Sequence, residues 1–255
     1  MKHNIYLEWL KKKEVNQKSI AVLIDPDENW DPGKIEYTIR QAVKAEVDYF
    51  FVGGSLLMDP DIAPVIRNIR KLSVRPVISF PGSNLHLNFD ADAILLLSLI
   101  SGRNPEFLIG QHVPVAASIK KKGIESISTG YILIDGGKPT SVSYMSFTNP
   151  IPNDKPDLVT STALAGELLG LKLIYLEAGS GALNPVPENM IRNVRKAVDV
   201  PLAVGGGINT TDKALLAMRA GADLIVIGNH IESHPDFLLE INGIKEEYNQ
   251  SLNIH

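Results

Sequence analysis

An apolar run that ends in a carboxylate and continues at once into glycines is the stretch of this chain best suited to chemistry. It reads Leu173-Ile174-Tyr175-Leu176-Glu177-Ala178-Gly179-Ser180-Gly181. Tyr175 and Glu177 are two residues apart, so on a strand they share a face, and a carboxylate there can accept a hydrogen bond from a substrate hydroxyl and take its proton. A structural carboxylate tied to a neighbouring turn would use the same residues. Two later patches, Gly205-Gly206-Gly207 and Gly228-Asn229, also follow apolar runs and precede helix-like segments. Their backbone N–H groups can hold an oxyanion such as a phosphate, or the glycines can serve only as tight turns.

A second group of residues carries hard oxygen donors. Asp25 stops an apolar run at Asp25-Pro26-Asp27, and Ser55 ends another at Gly53-Gly54-Ser55. One carboxylate and one hydroxyl on adjacent strands suit Mg²⁺, which takes few protein ligands and leaves the rest to water and substrate phosphates. Turn chemistry alone also explains an Asp-Pro pair. The histidines (His3, His86, His112, His230, His234, His255) lack metal-binding spacing and read as structural or surface groups. Asp135-Gly136-Gly137 reads as a turn.

Bringing these residues together requires a fold in which many strand ends meet. Short apolar runs alternate with helical segments: strands are expected near 20–24, 48–52, 76–80, 93–97, 124–134, 173–176, 201–204 and 223–227. Helices are expected near 6–13, 31–45, 59–72, 105–122, 157–169, 187–197, 211–220 and 235–248, the 31–45 helix with Asp31 as N-cap and Pro32 at its first position. Roughly ten residues separate the third and fourth strands, too few for a crossover helix, so the third helix is missing or replaced by an irregular segment. Residues 141–147 look extended and predict an extra strand or hairpin. The apolar Leu85, Leu87, Phe89, Leu99 and Ile100 near that gap suit either an open groove for a long apolar ligand or core packing of the irregular connection.

This rhythm predicts an α/β fold, a single (β/α)8 TIM barrel spanning residues 1–255, with its phosphate site at the last two strand ends. A doubly wound open sheet would carry its glycine fingerprint after the first strand, where this chain has Asp-Pro-Asp instead.

Composition narrows the function classes. At 255 residues, 44% hydrophobic and 21% charged, the chain has the size and core of one such barrel. Its net charge of −4 argues against nucleic acid as a partner, and with no cysteine it has neither disulfides nor a thiol nucleophile. No run is long enough to span a membrane and the N-terminus lacks a signal-peptide core, so a cytoplasmic location is expected, with a peripheral membrane contact left open. The Lys11-Lys12-Lys13 run reads as a solvated helix end.

Taken together, Ile24-Asp25-Pro26-Asp27, Val52-Gly53-Gly54-Ser55, Ser101-Gly102-Arg103-Asn104-Pro105, the Tyr175 to Gly181 run, Val204-Gly205-Gly206-Gly207-Ile208 and Ile227-Gly228-Asn229 span nearly the whole chain. In these motifs the sequence resembles the geranylgeranylglyceryl phosphate synthases and their heptaprenyl relatives. The resemblance implies Mg²⁺-dependent transfer of a polyprenyl group, geranylgeranyl in the first instance, from its diphosphate to the C3 hydroxyl of sn-glycerol 1-phosphate, a step of phospholipid biosynthesis. It implies Asp25 and Ser55 at the metal, Glu177 as the base, and Tyr175, Leu176, Glu177, Ala178, Gly179, Ser180, Gly181, Gly206, Gly207, Gly228 and Asn229 at the glycerol phosphate. The length resembles the family's longer form, which implies a homodimer or homohexamer, with Tyr144 as a candidate interface anchor. A phosphosugar isomerase or lyase of the same fold would want a second acid or base, or a lysine at a strand end. A non-catalytic phosphate-binding barrel would need neither Asp25 nor Glu177.

Overall fold

The computed structural model describes residues 4–26, 32–54 and 61–252. Strands β1 (Ser19–Ile24), β2 (Tyr49–Val52), β3 (Val77–Ser79), β4 (Ala93–Leu99), β5 (Glu125–Leu133), β6 (Leu173–Glu177), β7 (Leu202–Gly205) and β8 (Leu224–Ile227) pair in parallel, in chain order. Ser19 to Val22 of β1 lie opposite Leu224 to Ile227 of β8, which closes the ring as expected. Helix α1 (Ile5–Glu14) precedes the barrel, and α2 (Pro32–Lys44), α3 (Ala63–Leu72), α4 (Pro105–Leu108), α5 (Ala116–Lys122), α6 (Ser141–Ser146), α7 (Pro156–Leu168), α8 (Glu188–Ala197), α9 (Thr211–Ala220), α10 (His230–Ser233) and α11 (Phe237–Ser251) follow.

Strand periodicity divides the core into two layers. Ala21, Tyr49, Phe51, Ile78, Leu95, Ile127, Tyr175, Ala203 and Val226 fill the barrel interior. Their neighbours in sequence, among them Val22, Phe50, Val52, Ile174, Val204 and Ile225, turn outward to pack under the helices. Polar side chains at the strand ends therefore either enter the mouth of the barrel or leave it, according to parity.

Between β3 and β4 the chain makes only a 3-10 turn, Asn84–His86, in agreement with the spacing argument. Elsewhere the elements depart from expectation. Residues 141–147 form α6 rather than a strand: the Ser143 hydroxyl accepts the Thr140 N–H at 3.1 Å, the Tyr144 N–H reaches the Thr140 carbonyl, and Phe147 at φ 52 ends the turn. The expected helix over 105–122 is broken into α4 and α5 by a turn containing Gly110 and by Pro114, which has no N–H to donate. Beyond β8 an extra short helix, α10, stands before α11. Asp31, Ser55 and the 59–60 helix start lie outside the described residues.

Helix α1 closes the N-terminal end of the barrel. Trp9 meets Tyr49 edge-on at 5.7 Å, and the Glu125 carboxylate accepts the N–H groups of Ile5 (2.8 Å) and Tyr6 (2.9 Å), where the helix dipole favours an anion. Lys12 is not simply solvated: its ammonium bonds Asp48 at 2.9 Å. Asp48 also accepts the Ile20 N–H at 2.9 Å and the buried Lys245 ammonium at 3.2 Å. Burial raises the Asp48 carboxyl, but Lys12, Lys245 and the Ile20 N–H outweigh it and hold it below the usual carboxylate range. Asp48→Ala leaves Lys245 buried without this partner and is expected to cost about 3 kcal/mol in urea denaturation at pH 7. Because the folded-state pKa is depressed, this contribution is present above the unfolded carboxyl pKa and fades as pH falls through the lower folded value. The difference between wild type and variant should therefore narrow in acid.

Candidate active site

The strand ends enclose a cavity of about 250 Å³ at the C-terminal mouth of the barrel. Glu177, Tyr175, Gly179, Ser180, Gly181, Gly206, Gly207, Gly228, Asn229 and Asp25 all line it. The sequence-predicted residues thus converge, apart from two that are buried away from it and one that is outside the described chain. Leu176 points outward into the helix-facing layer, and the Ala178 side chain packs in that same layer. Ser55 is the third.

Glu177 is 7% exposed, at the end of β6. Its carboxylate accepts the Gly179 N–H at 2.7 Å. Burial pushes this carboxyl up to about 7, against the opposing pull of the Gly179 N–H and the Tyr175 hydroxyl. The group thus sits near the pH at which a base works best. The Tyr175 hydroxyl faces the carboxylate and has no partner at full hydrogen-bond geometry, which leaves it able to bond a substrate oxygen. Burial first, and then the Glu177 charge, raise its pKa well above that of free tyrosine, so it stays a donor.

Glycine is required beside this carboxylate. Gly206 has φ +80, and a Cβ there would fall 2.3 Å from Glu177 Oε1 and 2.7 Å from the Gly179 nitrogen. The β7 turn is therefore shaped around the Glu177 carboxylate. At the β8 end, the Ser180 hydroxyl bonds Asn229 Oδ1 and ties the two loops together.

Asp25 stands at the end of β1, where a Cβ on Gly54 would lie 2.2 Å from its Oδ2. No group of three or more His, Cys, Asp or Glu side chains able to hold a metal occurs among the described residues. The Asp25 carboxylate by itself is a hard oxygen donor of the kind Mg²⁺ takes singly or in pairs, with phosphate oxygens and water filling its other positions.

Sequence reasoning missed the aromatic wall. Phe80 and Tyr131 close the barrel interior beside Tyr175, with Phe80–Tyr175 centroids 5.7 Å apart and Tyr131–Tyr175 centroids 5.2 Å apart. Their alternation along apolar strands was the available signal. Val142, His230 and Glu232 were also missed.

Phe80, Tyr131, Val142 and Gly54 line a second space as well, an apolar groove running past Leu87, Leu95, Leu97, Leu99, Phe107 and Val115 beside the missing helix. Of the residues predicted for such a groove, Leu87 and Leu99 line it. Leu85 is exposed, Phe89 meets the Lys122 ammonium at 5.8 Å, and Ile100 packs against the outer core. The Ser101 to Pro105 motif does not line the groove but braces elements that do: Ser101 Oγ accepts the Leu133 N–H at 2.9 Å, and Asn104 caps α4 while donating to the Ser146 carbonyl of α6.

The PcrB family matches residues 9–246. A geranylgeranylglyceryl phosphate synthase of Spirosoma linguale is 52% identical over 92% of this chain and 94% of its own length. One from Pyrococcus horikoshii is 42% identical over 88% of each. Among solved structures, the (S)-3-O-geranylgeranylglyceryl phosphate synthase of Thermoplasma acidophilum in complex with sn-glycerol-1-phosphate has a TM-score of 0.89 at 33% identity, covering 96% of this chain and 99% of that one. With a family match over residues 9–246 and a relative 52% identical over 92% of its length, the chain belongs to the PcrB family, among the geranylgeranylglyceryl phosphate synthases.

Proposed function

We propose that this protein is a prenyltransferase that joins a polyprenyl diphosphate, geranylgeranyl by the names of its relatives, to the C3 hydroxyl of sn-glycerol 1-phosphate in lipid biosynthesis. The observation that carries this reading is the junction of two unlike spaces. A glycine-lined cavity holding a buried carboxylate adjoins an apolar groove, the two sharing Gly54, Phe80, Tyr131 and Val142 in their walls. A phosphorylated alcohol in the first and an isoprenoid chain in the second would meet beside Glu177.

In this reading the N–H groups of Gly206-Gly207 and Gly228-Asn229 hold the phosphate, with Ser180 and Gly181 beside them, and Tyr175 and Glu177 hold the glycerol oxygens. The bond from the allylic carbon to the diphosphate oxygen breaks, and the C3 oxygen bonds to that carbon. The proton of the C3 hydroxyl passes to Glu177, which suffices because a hydroxyl already bonding to a cationic carbon is strongly acidic. The aromatic wall excludes water from that carbon. Asp25, with Ser55, would hold Mg²⁺, which when bound neutralises charge on the departing diphosphate. Fixing both substrates in one mouth removes much of the entropic barrier.

Purified protein given glycerol 1-phosphate, Mg²⁺ and a ladder of prenyl diphosphates should release diphosphate and form the ether only when both substrates are present. Asp25→Ala should retain glycerol 1-phosphate binding and lose turnover by about a hundredfold or more. Turnover equal to wild type would refute the metal assignment. A non-catalytic phosphate-binding barrel predicts no ether at all.

No described helix is long and apolar enough to cross a membrane. A cytoplasmic enzyme that assembles as a homodimer or homohexamer is part of the proposal. The exposed Tyr144 and Phe147 on and beside α6 are consistent with an interface there.

A further inference from the structure

The glycine turns offer N–H groups to a phosphate but no positive charge. Among the described residues lining the cavity, Asp25, Glu177 and Glu232 bring carboxylates, and His230 is the one side chain that can become a cation. A phosphate dianion entering among those carboxylates needs such a counter-charge.

His230 follows Gly228-Asn229 directly and is held in place by the residues behind it. Its ring stacks on His234 at 4.7 Å, nearly parallel, and meets Phe237 edge-on at 4.7 Å. His234 is in turn fixed by the Ser233 hydroxyl, 2.8 Å from its Nδ1. Lys213 cannot play the same part without giving up its bonds: its ammonium donates to Asn209 Oδ1 at 2.7 Å and to the Gly207 carbonyl at 3.3 Å. It backs the loop and does not line the cavity. The Lys138 ammonium lies over Gly181, also outside the cavity lining.

We propose that His230 is a side-chain ligand of the substrate phosphate, donating a ring N–H to the anion that the Gly206-Gly207 and Gly228-Asn229 backbone holds. The inference rests on the proposed function for the identity of the phosphate ester. Burial, then His234 and then Lys213, hold the His230 ring below the usual histidine range, so it is mostly neutral near pH 7 before a phosphate arrives. The other charged groups around it are Glu232 on α10, Asp25 on β1 and Glu177 on β6 across the cavity, and Lys34 of α2 in the adjoining space. Phe237 of α11 adds no charge. An arriving dianion favours the protonated ring, so binding takes up protons at His230.

The test is calorimetric titration of the intact protein with sn-glycerol 1-phosphate and, separately, inorganic phosphate, in buffers of differing ionisation enthalpy at pH 6.5 and 8.5. His230→Phe keeps the ring stack and removes the donor. His230→Gln keeps a donor and removes the charge, and it decides the matter should the Phe variant fail to fold. Wild type is expected to take up more protons than either variant. His230→Phe should bind about tenfold more weakly at pH 6.5, and by less at pH 8.5, as one charge-assisted hydrogen bond is lost. In turnover, the KM for glycerol phosphate should rise with little change in kcat. Proton uptake and affinity equal to wild type, or an equal loss at both pH values, would overturn the assignment. Should glycerol 1-phosphate fail to bind while inorganic phosphate shows the His230-dependent uptake, the substrate reading fails and this one stands. Turnover that ignores His230 gives the reverse.

Discussion

Glu177→Gln is expected to lower kcat by about 10²- to 10⁴-fold, the usual contribution of a positioned base, while glycerol 1-phosphate binds nearly as in wild type. The amide keeps the size of the side chain and a carbonyl for the Gly179 N–H, so only the proton acceptor is removed. With the carboxyl pushed up to about 7, wild-type kcat/KM should rise with pH along a limb near neutrality. The variant should lose that limb, whereas any limb arising from ionisation of the substrate phosphate would persist in it. A rate-pH profile of the same shape in both proteins, or an undiminished kcat, would remove Glu177 from its role.

The same substitution makes a stability prediction of opposite sign. A folded-state carboxyl pKa above its unfolded value of about 4.5 means that the fold prefers the neutral acid. Its contribution is fully present below that unfolded value and is lost as pH rises through about 7. Above pH 7 the burial of charge therefore strains the wild type, and the neutral Gln should raise the melting temperature by several degrees. Below about pH 4.5 the two proteins should melt together. Activity and stability are thus expected to move in opposite directions at one residue.

Gly206→Ala is the second large effect. At φ +80 any L side chain pays roughly 1–2 kcal/mol in backbone strain. Here its Cβ would also overlap Glu177 Oε1 and the Gly179 nitrogen, at 2.3 and 2.7 Å. The carboxylate can rotate away, but the Gly179 backbone cannot do so without moving the β6 loop. Loss of both stability, by about 2–3 kcal/mol, and kcat/KM, by at least about a hundredfold, is expected, since small misplacement of a reacting group is costly. Gly123→Ala is the control: it shares the positive φ, at +64, but its Cβ meets nothing within 4 Å. It should lose stability alone. If Gly206→Ala behaves like Gly123→Ala, with activity intact, the β7 turn does not shape the base.

Much of this arrangement is legible in the sequence. Strand parity put Tyr175 and Glu177 on one face, and the positions of the glycines at successive strand ends put them around one cavity. The short gap after β3 announced the missing helix. Ser141 to Phe147 misled because alternating serine and apolar residues fit a strand on paper, whereas the Thr140–Ser143 pair satisfies the start of a helix instead. His230 reads in the sequence as a structural or surface group because no spacing of histidines points to a metal; it lines the cavity instead, its place set by α10, a short helix that only the path from β8 to α11 creates.

By itself the sequence determined the periodicity and punctuation of the chain: where strands run, where they stop, which residues face inward, and that carboxylates and glycines end the strands. Those are local properties, settled by side-chain alternation and by the backbone freedom of particular residues. Ring closure, which brings β8 beside β1, was required before Asp25 could share a cavity with Glu177 and Asn229. Burial in the barrel mouth, with Tyr175 and Tyr131 close by, decided how acidic Glu177 is, because desolvation depends on every group packed around the carboxyl and not on its neighbours in sequence alone.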